Sequence, residues 1–98
     1  MLYDANCELC NLVQKTKWYY TCKTFTILDC NVCKVPIVVA REHISPRAND
    51  LVVNQIRFEM QKQLTIIAEK FYNGKPFYID KKERKIPTHL HWHARLKI

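Results

Sequence analysis

The chain has 98 residues, 48% of them hydrophobic, and a formal net charge of +7. That length suits one domain with a modest core, and the apolar share excludes a disordered segment. No apolar run approaches the ~20 residues of a membrane helix, and Met1-Leu2-Tyr3-Asp4 lacks the basic and apolar regions of a signal peptide.

The positive charge suits an anionic partner: a nucleotide substrate, or as second choice a nucleic acid. Five cysteines are an odd number for a disulfide framework. With no export signal expected, a reducing, cytoplasmic compartment follows, and metal ligation becomes the leading use for the thiols.

In chain order, the first chemical feature is Cys7-Glu8-Leu9-Cys10. Two cysteines at this spacing present two thiolates to one tetrahedral zinc, and a distant pair completes the site. The partners are either Cys30 and Cys33 or histidines; spacing alone leaves both open. Residues 17–22 and 24–29 are rich in aromatic and β-branched side chains and predict two strands of a hairpin. Asp29 ends the second. Cys30 and Cys33 then lie between strands, where the helix dipole that tunes a redox pair is missing. Residues 35–40 predict a third strand, with Pro36 near its start, where proline is tolerated.

The clearest helix runs from Asn49 to Asn73. Val53, Ile56, Met60, Leu64, Ile67 and Phe71 recur at spacings of three and four, an apolar stripe. Asn49 or Asp50 caps its start, and Gly74 suits a left-handed residue just past its end. Val52, Ile66 and Tyr72 lie off the stripe and supply a second apolar face. Residues 76–80 predict a strand, and residues 81–85 a charged turn.

Residues 87–96 predict the last strand, and it carries three of the four histidines. Side chains alternate across a strand, so His89, His91 and His93 share one face at intervals of about 7 Å. Leu90, Trp92 and Ala94 take the other face, and Trp92 packs in the core. Histidine titrates near neutral pH, so the row suits phosphate chemistry or metal binding. Neighbours about 7 Å apart do not all reach one zinc, although two of the three can. The element order is β-β-β-α-β-β, with short links that favour antiparallel neighbours. The expected fold class is α+β, a sheet packed on one long helix.

Taken in order, these segments resemble the histidine-triad (HIT) superfamily of nucleotide hydrolases and transferases. Cys7-Glu8-Leu9-Cys10 resembles the zinc pair of many members. Leu28-Asp29 resembles the segment whose aspartate binds ribose. Residues 36–43, ending in Arg41-Glu42-His43, resemble the following strand, and His89-Leu90-His91-Trp92-His93 matches the triad. The resemblance covers nearly the whole chain. It implies an antiparallel sheet of about five strands against the helix, and a homodimer. It implies His91 as the nucleophile that forms a covalent nucleotidyl-histidine, and His93 as the phosphate or leaving-group contact. His89 is either an orienting triad member or a zinc ligand. In the zinc-bearing branch the metal is held by residues equivalent to Cys7, Cys10, His43 and His89, as a structural zinc. Asp29, Thr88 and Arg95 are the candidate substrate contacts, with Arg84 and Lys85 as further positive charge. The alternative is a zinc-stabilised module that binds nucleotides or nucleic acid without turnover.

Overall fold

Aromatic and β-branched runs form strands at the expected places. The computed structural model describes residues 7, 9–10, 17–30, 34–82 and 89–97. Strand β1 spans Trp18–Thr21, β2 Phe25–Asp29 and β3 Pro36–Ala40. Helix α1 spans Leu51–Phe71, followed by β4 over Phe77–Asp80 and β5 over His91–Leu96. The strands form one antiparallel sheet in the order β1-β2-β3-β5-β4. The fold is α+β: a five-stranded antiparallel sheet and one helix. Short links account for the β1-β2-β3 meander and for β4 beside β5. The long-range pairing of β3 with β5 places the histidine strand inside the sheet and leaves β4 at an edge.

Alternation gives the sheet two unlike faces. Phe25, Ile27, Val38, Ala40, Trp92 and Ala94 point to one face, and Val53, Met60, Leu64 and Ala68 of α1 pack against them. Trp92 is therefore core, as expected. Leu28, Ile37 and Val39 point to the other face and form a smaller cluster, with Leu9, Trp18 and Cys30 packed on it. His91 pairs in register with Val39, and His93 with Ile37. Both histidines therefore stand on the face away from the helix.

Asp50, not Asn49, caps α1, and its Oδ1 accepts the Val53 N–H at 2.9 Å. The buried stripe is Val53, Met60, Leu64 and Ala68, with Ile56 and Ile67 partly covered at its margins. Phe71, at the last turn, is 38% exposed and lies beside Tyr19 and Tyr72. Gly74 takes the left-handed φ of +83° expected of it, and Asn73 before it is also left-handed at +52°. No atom lies within 4 Å of a Cβ built on Gly74, so backbone conformation is what favours glycine there. Val52 and Ile66 are exposed, together with Leu51 and Phe58. Tyr72 is not on that open face. Its hydroxyl donates to the Ala94 carbonyl at 2.7 Å and its ring packs beside Phe77.

Cys33, Arg84, Lys85 and Thr88 lie outside the described residues, as does most of the charged turn. Among the described residues, no helix is long and apolar enough to cross a membrane.

Equilibrium urea unfolding checks the helix–sheet core. Leu64→Ala is expected to cost about 2–5 kcal/mol, and Asp50→Ala about 1 kcal/mol. Lys75→Ala, exposed beyond the end of α1, is expected to stay within about 0.5 kcal/mol.

Candidate functional site

The histidine row divides in two. Regular strand begins at His91, and Leu90 just before it is tied to the chain that follows β3. The Ala40 N–H donates to the Leu90 carbonyl at 3.1 Å, and the Leu90 N–H donates to the Ile44 carbonyl at 2.7 Å. These bonds bracket residues 41–43 and bring His89 against His43. The two rings meet edge to face with centroids 5.2 Å apart. Cys7 and Cys10 reach the same place through a turn in which the Cys10 N–H donates to the Cys7 carbonyl at 3.2 Å.

Cys7, Cys10, His43 and His89 thus converge, with their donor atoms all within 4.8 Å of one another. Four closest approaches define the cluster. His43 Nδ1 lies 3.3 Å from His89 Nδ1 and 3.3 Å from Cys10 Sγ. His89 Nδ1 lies 3.4 Å from Cys7 Sγ and 3.5 Å from Cys10 Sγ. With ordinary zinc–ligand bonds, a tetrahedron has nitrogen–nitrogen edges of about 3.4 Å and sulfur–nitrogen edges of about 3.6 Å. The four side chains therefore fit an ion of that size and can hold a metal such as zinc.

The ring of His89 is oriented for this from outside the cluster. Its Nε2 lies 2.6 Å from the Ala40 carbonyl oxygen. An oxygen of that kind only accepts, so Nε2 carries the proton, and in the neutral ring Nδ1 presents its lone pair to the cluster. Such a backbone acceptor behind a ligating histidine fixes tautomer and ring orientation. Burial lowers the His89 pKa; the bond to Ala40 opposes that shift, and His43 and His91 add to it. The ring is thereby kept in the neutral state that ligation requires.

His91 is fixed by the same device with the ring reversed. Its Nδ1–H donates to the His89 carbonyl at 2.7 Å, so the lone pair lies on Nε2. Burial lowers its pKa, partly offset by that bond. The ring is therefore uncharged at neutral pH, with one nitrogen able to act as a nucleophile or a ligand. His93 lies beside it, the two rings edge to face with centroids 5.7 Å apart.

The remaining expected contacts separate. Arg95 is on the histidine face, and its Nε donates to Asp80 Oδ2 at 2.8 Å. Asp29 ends β2 on the alternation that carries Phe25 and Ile27, the helix side of the sheet. Its Oδ1 accepts the Tyr19 hydroxyl at 2.6 Å. Burial, and then the Asp29 carboxylate, push the Tyr19 pKa far up, so that hydroxyl remains a donor. The sheet thus stands between Asp29 and the face of His91 and His93. Asp80 is the residue that sequence reasoning passed over. Its signal was a single acid ending an apolar strand, but only the register places it opposite His93. The carbonyls of Ala40 and His89 leave no trace in side-chain spacing at all.

No family model, curated protein or solved structure matches the chain.

Elemental analysis of protein purified without chelator is expected to find one metal ion per chain. Cys7→Ala or His43→Ala should lower that content and the melting temperature together. Chelation of the native protein should lower the melting temperature to a similar degree. A metal-free protein that gains no thermal stability from added zinc would contradict the assignment.

Proposed function

We propose that the chain is a zinc-stapled nucleotide hydrolase or nucleotidyltransferase of HIT-like arrangement, with His91 as the nucleophile. The observation that carries the reading is the His91 ring. Its Nδ1–H is engaged by the His89 carbonyl, and Nε2 is left as the basic atom. Support also comes from the order of the sequence segments, the five-stranded sheet backed by one helix, and the net charge of +7.

In this reading Nε2 of His91 attacks the α-phosphorus of a nucleotide. A P–N bond forms, and the bond to the leaving group breaks with its electron pair on that group. Water, or another acceptor, then attacks the same phosphorus. The P–N bond breaks, nucleoside monophosphate leaves, and the ring regains its lone pair while the proton from water passes to solvent. His93, beside His91, contacts the phosphoryl oxygens or the leaving atom. The ring stays in register because the backbone fixes it, so no rotamer search precedes attack.

Cys7, Cys10, His43 and His89 would hold the zinc. A closed four-ligand shell leaves no open position for substrate, so the ion's contribution is structural: it ties the segment around Cys7 to the start of the catalytic strand. His89 is assigned to the metal and not to the reaction. Asp29, on the helix side, has no part in this reading.

We further infer a homodimer formed through α1, because Leu51, Val52, Phe58 and Ile66 expose apolar surface along it. Light scattering is expected to give twice the chain mass, and Phe58→Glu to shift it to one.

The direct test is hydrolysis of adenosine and guanosine phosphoramidates and diadenosine polyphosphates, followed by chromatography. Monophosphate release is expected from the wild type and not from His91→Ala, which should remain folded and retain its metal. Release that persists in His91→Ala would contradict the assignment of the nucleophile. No release from folded, metal-loaded wild type would favour a binding module without turnover.

A further inference from the structure

We infer that Asp80 is a positioning residue: it holds the Arg95 guanidinium beside His93, where the guanidinium receives an anionic leaving group. The leaving-group role rests on the reaction proposed above; the anion site itself does not.

The register makes the case. Asp80 of β4 is the cross-strand partner of His93, so the two share a face, with Cβ atoms about 4.5–5.5 Å apart. Arg95 is also on that face, two residues further along β5, and its own cross-strand partner is Tyr78. Its Nε nevertheless donates to Asp80 Oδ2 at 2.8 Å. The side chain therefore runs back along the strand, and its charge sits level with His93 instead of at the Leu96 end. Asp80 is held in turn. Its Oδ1 accepts the Lys82 N–H at 3.1 Å.

Exposure separates the two roles. The Asp80 side chain is 5% exposed and that of Arg95 is 25% exposed. A carboxylate so buried needs a cationic partner, or it would repel any phosphate brought to the histidines. Arg95 supplies that partner and keeps a quarter of its side chain exposed. A guanidinium carries five donors in a planar fork suited to phosphate oxygens.

The consequence is a preference among leaving groups. When His91 attacks the α-phosphorus of a nucleoside polyphosphate, the P–O bond to the next phosphate breaks. The departing oxygen keeps the electron pair as an anion and needs no proton. A guanidinium at the level of His93 stabilises that charge as it develops. An amine leaving group, as in a phosphoramidate, must instead take up a proton and gains nothing from Arg95. The structure therefore favours substrates whose leaving group is itself a phosphate or polyphosphate.

Metal-loaded wild type, Asp80→Asn, Arg95→Gln and Arg95→Lys should be compared on diadenosine triphosphate and adenosine phosphoramidate. Inorganic pyrophosphate should be titrated into each by calorimetry. Asp80→Asn and Arg95→Gln should each lose about 10- to 100-fold in kcat/KM on the triphosphate, with little change on the phosphoramidate. Arg95→Lys should recover part of the loss. Pyrophosphate affinity should fall in Arg95→Gln. Equal losses on both substrates would mean a merely structural role and overturn the proposal, as would unchanged pyrophosphate affinity in Arg95→Gln. If Arg95→Gln fails to fold, Asp80→Asn/Arg95→Gln, which removes both charges together, replaces it in the titration. If wild type hydrolyses neither compound, the reaction reading fails, and the pyrophosphate titration alone decides the anion site.

Discussion

Two hydrogen bonds from imidazole to backbone carbonyl organise everything described above. The Ala40 carbonyl takes the proton of His89 Nε2, and the His89 carbonyl takes the proton of His91 Nδ1. Each bond settles which nitrogen keeps a lone pair and where that lone pair points. The rings sit two residues apart, yet one offers Nδ1 to two cysteines and a histidine, and the other offers Nε2 to its own face of the sheet. An imidazole free to rotate would serve either purpose poorly. The first bond depends on the pairing of β3 with β5, which sets Ala40 beside Leu90, and the second is local to the histidine segment. The backbone thus assigns the chemistry, and the side chains supply it.

The sheet also partitions the molecule. On one face, Phe25, Ile27, Val38 and Trp92 bury against Met60 and Leu64, each fully buried side chain contributing roughly 1.5–3 kcal/mol. That burial drives folding and needs no polar group. The opposite face carries a smaller apolar cluster around Leu28, Ile37 and Val39, together with His91, His93, Asp80 and Arg95. Four polar side chains on one face are costly to desolvate unless bonded, and the hydrogen bonds of His91, Asp80 and Arg95 meet that need. Core packing and the histidine row therefore use different faces of the same strand: Trp92 and Ala94 anchor β5, while His91 and His93 stand on the face away from the helix.

Much of this was legible in the sequence, for physical reasons. Strong periodicity survives without tertiary information, so the α1 stripe, a cap at Asn49 or Asp50 and the left-handed Gly74 were all readable. The convergence of Cys7, Cys10, His43 and His89 was suggested by a resemblance, and the structure does bring them together. Two things were not readable. Strict alternation put His89 in line with His91 and His93, but the strand starts at His91, and the bonds of Leu90 turn the preceding residue to a different use. Asp29 was expected to contact a nucleotide ribose because Leu28-Asp29 resembles the family segment that does so. Which face a strand-end residue occupies depends on register, and the register sets it on the helix side with Tyr19. Asp80 was missed for the same reason in reverse. Side-chain spacing carries periodicity well and cross-strand register hardly at all.

Backbone bonding gives His89 and His91 opposite tautomers, and so separates a nitrogen that can hold a metal from the nucleophile proposed above. Long-range nitrogen-15 NMR of the histidine rings in the metal-loaded protein at neutral pH tests it in one spectrum. The account predicts His89 with its proton on Nε2 and Nδ1 shifted by metal, and His91 with its proton on Nδ1 and a bare Nε2. A His91 ring protonated on Nε2, or one that carries both protons at neutral pH, would contradict it.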